Sequence, residues 1–296
     1  MSTKAEALAR VGAAYVVAFA VGGLWLAFGP DTGRLWLDGL IADLLATLVV
    51  FGASRMHHNS SFYDAYWSVL PPFLAAYWLI AAAPDVNDLR NWLVLGVIVV
   101  WAVRLTGNWV YAFPGLHHED WRYPLLREKA GKAEAAADLF GIHIVPTLQV
   151  FLGMVPVYVA VTAPGRDVGL LDALAVLVGV GAVVLEYAAD VQMYRFARVK
   201  QPGQAMDRGL WGWSRHPNYF GEFAFWVSLA LFGLAASPGD WWFLFVGAVA
   251  MLAMFQGASI PLMEERSLER RPSYQAVIDR VPRFVPRPPR KTSVTT

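Results

Sequence analysis

The chain has 296 residues, of which 57% are hydrophobic and only 16% are charged. A soluble domain carries about 25% charged residues, so this composition excludes an ordinary water-soluble fold. The absence of cysteine excludes disulfides and thiolate metal sites. The net formal charge is +1, and we expect no nucleic-acid partner.

Apolar runs of about 20 residues recur along the chain. Such runs cross a ~30 Å hydrocarbon layer as helices, because lipid offers no partner for free backbone groups. The predicted spans are residues 12–29, 36–54, 62–83, 91–113, 142–163, 169–189, 219–236 and 241–261, with turn-forming breaks at Pro30, Pro84, Pro164 and Pro238. No small-residue cleavage site follows the first span, so we expect it to be retained. The sequence predicts an all-α polytopic transmembrane bundle of seven to eight spans and one domain, residues 1–296.

The distribution of positive charge predicts the orientation of this bundle. If eight spans alternate in direction, all but four of the 24 Lys and Arg residues lie on the side of the N-terminus, the exceptions being Arg34, Arg90, Arg104 and Arg166. Lys and Arg favour the cytosolic side of short loops. We therefore expect both termini in the cytosol, and we expect the membrane to be a bacterial inner membrane.

Ionisable residues inside the predicted spans are candidates for function, since each costs at least ~2.5 kcal/mol to insert. They are Asp43, Asp64, Arg104, His143, Glu186, Asp190 and Glu222. Most lie near the cytosolic ends of helices, which indicates a polar cavity open to that side. Asp64 and Arg104 are expected to pair, because either would otherwise be an unpaired buried charge. The alternative is that these residues reach the interface and serve folding alone.

The densest polar segment runs from residue 186 to residue 222 and brings several arginines onto one cytosolic loop. Pro217 suits the first turn of a helix, whose free N–H groups favour an anion. Arginine side chains bind phosphate with two donors each. Asn218, Tyr219 and Glu222 could orient a ribose or a nicotinamide-type group. The segment indicates a site for a large anionic cofactor, although an ordinary positively charged loop is the alternative.

One part of this segment, Ser214-Arg-His-Pro-Asn-Tyr-Phe-Gly-Glu222, resembles the C-terminal signature of the steroid 5α-reductase-like family of membrane reductases. The resemblance is closest to a bacterial branch of uncharacterised proteins and covers most of the chain, including residues 59–67 and 115–128. It implies NADPH-dependent reduction of an enone carbon–carbon double bond in a lipophilic, steroid- or isoprenoid-like substrate. Hydride then goes to the β carbon, while an acid assists at the carbonyl oxygen.

The resemblance also implies site residues. Cofactor binding is assigned to Asp190, Arg195, Arg198, Arg215, His216, Asn218, Tyr219 and Glu222. Steroid-reducing members hold the ketone with a Gln-Glu pair and a Tyr, and the comparable places here contain Tyr63, Asp64, Tyr66 and Arg104, the candidate catalytic residues. This difference argues against a 3-oxo steroid. We expect residues 1–140 to form the substrate side, 141–285 the cofactor-binding half and 286–296 a flexible tail.

Two other functions remain open. Isoprenylcysteine-type methyltransferases, which use S-adenosylmethionine, have a similar Arg-His-Pro stretch and a later Glu-Glu pair, here Glu264-Glu265. A lipid-binding membrane protein without turnover is the other alternative. No metal is expected, because spaced His clusters are absent from the sequence. Gly179-Val-Gly181 lies within a span and predicts close helix packing rather than a dinucleotide fingerprint.

Overall fold

The computed structural model of the protein describes residues 3–82, 88–163 and 166–289. The predicted breaks at Pro84 and Pro164, and residues 290–296 of the predicted tail, lie outside the described residues. The described residues contain helices and no strand, which confirms the predicted all-α class.

The helices are numbered in chain order. They are α1 (Lys4–Phe28), α2 (Leu35–His57), α3 (Tyr66–Ala81), α4 (Asp88–Ala112), α5 (Arg122–Ala130), α6 (Glu134–Ala137), α7 (Val145–Thr162), α8 (Leu170–Val199), α9 (Pro217–Ala236), α10 (Trp241–Leu244), α11 (Val246–Met254), α12 (Ile260–Arg270) and α13 (Gln275–Arg280). Two π-helical turns, Asp138–Ile144 and Phe255–Ser259, continue directly into α7 and α12.

Seven helical segments of the described chain are long and apolar enough to cross a bilayer, so the protein is an integral membrane protein. The remaining predicted span, residues 62–83, corresponds to α3, which has 16 residues and a length of about 24 Å. Its C-terminal end reaches the start of α2, where the Trp78 indole donates to the Leu35 carbonyl at 3.2 Å. Helix α3 therefore runs back along α2 and joins the two ends of the bundle.

Different polar contacts are found at the two ends of the bundle. At one end, called the basic face, the N-terminus of α1 meets the C-terminus of α4, since Lys4 Nζ donates to the Tyr111 carbonyl at 3.0 Å. The C-terminal tail lies at the same end, where Arg287 N donates to the Trp213 carbonyl. At the opposite face, buried Arg90 binds Asp172 through Nε at 2.7 Å.

Small residues allow α8 and α9 to approach closely. A Cβ atom built on Gly221 would lie 2.5 Å from Glu186 Cγ and 3.0 Å from the Ala182 carbonyl oxygen. A Cβ on Gly179 would meet Val97 Cγ1 at 2.7 Å, which confirms the close packing predicted there, whereas Gly181 has open space around it. This contact brings two acidic residues, Glu186 and Glu222, to the same helix interface.

A short linker between α2 and α3 carries several predicted site residues. Helix α2 ends at His57, and the next residue, His58, adopts a left-handed conformation with φ 51°. The Asn59 amide then donates to the carbonyls of Leu116 and His118, at 2.9 Å each. These two bonds attach the linker to the loop before α5, and so fix Tyr63 and Asp64 beside α5.

Candidate functional site

A cavity of about 710 Å³ lies among α4, α5, α7, α8, α9 and the segment from α11 to α12. Ligand pockets commonly measure roughly 300–1,000 Å³, so the cavity is large enough for a substantial ligand. Six of the predicted site residues line it: Tyr63, Arg104, Asp190, Asn218, Tyr219 and Glu222. The structure thus brings together half of the residues that the sequence assigned to one site.

Arg104 occupies the centre of the polar wall. Its two terminal nitrogens pair with Glu186 and Asp190, which lie one turn apart on α8 and so share a face. Asn108 reinforces this arrangement by donating to Asp190 Oδ2 at 3.0 Å. The predicted ion pair between Asp64 and Arg104 is therefore wrong, because two acids on the facing helix already take both ends of the guanidinium.

Asp64 lies in the linker before α3 and faces α5 instead of Arg104. Its carboxylate accepts a hydrogen bond from the Tyr123 hydroxyl and one from the Trp109 indole at 3.4 Å. Removal from water raises the pKa of the Asp64 carboxyl above its ordinary value, although both of these bonds act in the opposite direction. Asp64 does not line the cavity itself, but its partner Tyr123 does.

Glu222 is held by two indoles deep in the cavity wall. Trp101 donates to Oε2 at 3.1 Å, and Trp226, one turn further along α9, donates to Oε1 at 2.8 Å. The neighbouring Glu186 is 2% exposed, and its Oε1 makes no hydrogen bond to the described residues; the same holds for Arg104 Nε. Buried polar atoms are usually hydrogen-bonded, so these two atoms are exceptions within the cavity wall.

The electrostatic character of the cavity changes along its length. Its described lining has three acids, Glu186, Asp190 and Glu222, against one deep cation, Arg104. The other lining cations, Arg122 and Lys129, belong to α5 near the basic face. Arg122 is bound to Asp120 at 2.8 Å, whereas exposed Lys129 forms no ion pair with a described residue. An anionic group is therefore favoured at the α5 end and a neutral or donor group deeper in.

The remaining lining is mostly apolar and includes residues of both π-helical turns. Gly141 and Ile142 come from the first turn, and Phe255, Ala258 and Ser259 come from the second. π-helical turns occur frequently at functional sites. Helical periodicity in the sequence gave no indication of either turn. Gln149 and Asn108 also line the cavity and were not predicted from the sequence.

Arg215 and His216 lie beside the cavity wall and bind the C-terminal segment. Arg215 donates to Glu264 Oε1 at 2.7 Å and to the carbonyls of Ile278 and Val281. Burial lowers the pKa of the His216 imidazole, whose Nε2 lies 3.0 Å from Glu264 Oε1. The cofactor-binding role of these two residues stays a prediction, and the bonds to Glu264 were not expected from the sequence.

The other predicted site residues lie apart from the cavity. Arg195 and Arg198 are exposed at the end of α8, where Arg198 donates to the Tyr111 hydroxyl at 2.8 Å. Tyr66 is 1% exposed and donates to Asp43 Oδ1 at 3.2 Å. In the described part of the chain, no group of three or more His, Asp or Glu residues could hold a metal ion.

Comparison with known proteins places the chain in a family. A family model described as "Protein of unknown function (DUF1295)" matches residues 50–281, more than three quarters of the chain.

 The lining residues, from Tyr63 to Leu262, all fall within this match. The chain belongs to the DUF1295 family.

A curated relative of this DUF1295 protein extends the comparison beyond the family model. The chain is 29% identical over 273 residues to the uncharacterized protein C594.04c of Schizosaccharomyces pombe. The aligned region covers 84% of this chain and 79% of the relative. No solved structure gives a significant match. This relative is from a yeast.

Proposed function

We propose that this DUF1295 protein is an NADPH-dependent membrane reductase that acts on the carbon–carbon double bond of a lipophilic enone. The observation that carries the proposal is the cavity, in which Arg104, Glu186, Asn218 and Glu222 converge beside an apolar wall. The resemblance of the segment ending at Glu222 to the steroid 5α-reductase-like signature gives the reaction class. A steroid- or isoprenoid-like substrate suits the apolar lining.

The residues present fit a nicotinamide cofactor. Glu186 lines the cavity, and a carboxyl group at its wall can accept from a carboxamide N–H. The Asn218 side chain lines the cavity and makes no hydrogen bond to the described residues, so it can both donate and accept. At the α5 end, Lys129 and Arg122 are placed to attract phosphates.

When bound, NADPH would supply a hydride to the β carbon of the enone. The protein would hold the ring against Glu222, whose position Trp101 and Trp226 fix, and would keep water away with the apolar wall. As negative charge develops on the carbonyl oxygen, a hydroxyl donor lowers the barrier. Tyr63 is the candidate for this donor, because it lines the cavity and its hydroxyl is hydrogen-bonded to Thr147 at 2.8 Å.

We also propose an orientation and a location for the protein in the membrane. The basic face would lie in the cytosol, in agreement with the preference of Lys and Arg for that side. NADPH would then enter past α5, and the substrate would come from the lipid phase. We propose a bacterial inner membrane as the site of action.

The direct test is thermal unfolding of the purified protein in detergent with NADPH, NADH or S-adenosylmethionine. A cofactor at about 100 times its Kd stabilises the folded state by ~2.7 kcal/mol. We expect a clear rise in Tm with NADPH and a smaller rise with NADH. A rise with S-adenosylmethionine alone would indicate a methyltransferase, and no rise with any of the three would indicate a lipid-binding protein.

A matched pair of lysine variants locates the phosphates in the same assay. Lys129→Gln removes a cavity-lining charge that forms no ion pair with a described residue, so NADPH should bind about tenfold more weakly. Lys132→Gln is the control, because Lys132 is exposed on the same side but does not line the cavity. Equal affinity of the two variants would contradict the placement of the phosphates beside α5.

A further inference from the structure

A chain of hydrogen bonds leads from the cavity to a carboxyl group in the middle of α2. Tyr63 lines the cavity, and its hydroxyl is 2.8 Å from Thr147 Oγ1. Thr147 Oγ1 is 3.0 Å from Thr47 Oγ1, which is 3.4 Å from Asp43 Oδ1. All four side chains are at most 3% exposed, so the chain is shielded from water along its length.

Asp43 is a buried acid that pairs with no described cation. Arg104 binds Glu186 and Asp190, and Arg90 binds Asp172, but Asp43 forms no ion pair with a described residue. Its described partners are the hydroxyls of Tyr66, at 3.2 Å, and Thr47. An isolated carboxylate is very costly in such an environment, whereas a protonated carboxyl costs far less. Asp43 is therefore suited to hold a proton.

The links between Asp43 and the cavity are all hydroxyl groups. A hydroxyl donates one hydrogen bond and accepts others, so it can accept a proton on one side and release one on the other. Either oxygen of the Thr47–Thr147 pair and of the Tyr63–Thr147 pair can be the donor. The whole chain can therefore reverse its direction without any heavy atom moving far.

We propose that Tyr63, Thr147 and Thr47 form a proton relay between the cavity and Asp43, which stores the proton consumed in the reduction. This inference rests on the proposed function and adds the source of the proton. Tyr63 is the proton donor to the substrate, Thr147 and Thr47 are relay residues, and Asp43 is the store.

The reduction consumes one proton, and the relay supplies it from Asp43. When the enone accepts a hydride at its β carbon, the π electrons move to the carbonyl oxygen, and the Tyr63 O–H bond breaks to protonate that oxygen. Thr147 protonates Tyr63, Thr47 protonates Thr147, and Asp43 protonates Thr47 and becomes a carboxylate that accepts from Tyr66. The resulting enol converts to the ketone with solvent. After the product leaves, a proton from water in the cavity returns along the same hydroxyls to Asp43.

The test is hydrogen–deuterium exchange of the Asp43 carboxyl, followed by stopped-flow infrared spectroscopy on the full-length protein without cofactor or substrate. The difference between wild type and Asp43→Asn identifies the C=O band of the protonated acid. On mixing with D₂O, the wild-type band should shift rapidly. In Thr147→Val the shift should be about tenfold slower or more, because the missing hydroxyl raises the barrier to transfer.

Matched variants separate a relay from a merely structural network. Thr147→Ser restores the hydroxyl and should restore the rate. Thr162→Val is the control on the same helix, because the Thr162 hydroxyl donates to the Tyr158 carbonyl and has no part in the chain. If Thr147→Val does not fold, Thr47→Val and Thr47→Ser make the same comparison.

Two results would overturn the relay: no protonated carboxyl band assigned to Asp43, or equal exchange rates in wild type and the valine variants. Neither result depends on NADPH or on turnover. Failure of NADPH to bind, with exchange still controlled by Thr147, would instead remove the reductase proposal and leave a proton path between Asp43 and the cavity.

Discussion

At the scale of single residues, the arrangement around Arg104 determines the polar half of the cavity. A buried ion pair gains little net stability, but the loss of one partner is costly because the other charge remains buried and uncompensated. Arg104 carries two such partners, Glu186 and Asp190, and its side chain is 9% exposed. The cluster is therefore expected to serve the cavity's charge distribution more than the stability of the fold.

Removal of Arg104 gives a prediction that separates these contributions. Arg104→Met should destabilise the protein by about 3–5 kcal/mol, because it leaves Glu186 and Asp190 without their cation. The triple variant with Glu186→Gln and Asp190→Asn should recover most of this loss, since the charges are removed as well. Thermal unfolding monitored by tryptophan fluorescence measures both effects. A triple variant as unstable as the single one would show that Arg104 acts mainly through packing.

At the scale of helices, the contact between α8 and α9 places the acids. Gly221 removes the side chain that would otherwise separate Glu186 from α9, and Glu222 follows it directly. The position of the glycine, one residue before the acid, therefore couples helix packing to the geometry of the site.

Substitution of this glycine tests the coupling. Gly221→Ala places a Cβ 2.5 Å from Glu186 Cγ and 3.0 Å from a backbone oxygen, so we expect a loss of ~1–3 kcal/mol in stability. NADPH affinity should fall as well, because Glu186 must move. Gly181→Ala is the matched control on α8, since no atom lies within 4 Å of the added Cβ. Equal effects of the two substitutions would contradict the proposed coupling.

At the scale of the whole molecule, hydropathy was sufficient to predict the class of fold. The backbone groups of long apolar runs can find hydrogen-bond partners in lipid only in helices. Gly29 marks where α1 ends, and Pro217 marks where α9 begins. The convergence of Arg104, Asp190, Asn218 and Glu222 on one cavity was also predictable, since buried charges are costly and therefore collect where they find partners.

The choice of partners was not predictable from the sequence. Whether Arg104 pairs with Asp64 or with the acids of α8 depends on how each helix is rotated about its axis. The number of residues along a span does not reveal this rotation. The π-helical turn Asp138–Ile144 shifts the face of the helix that follows, and nothing in the apolar pattern marks it. The bonds from Arg215 to the tail join residues 49 to 66 positions apart, which local patterns do not report.

The proposed function requires that the cavity bind NADPH from the basic face. A structure determined in lipid with NADPH present tests this requirement most directly. We predict the nicotinamide beside Asn218 and Glu222 and the phosphates toward Arg122 and Lys129. Cofactor density outside the cavity, or a cavity filled by lipid under saturating NADPH, would contradict it.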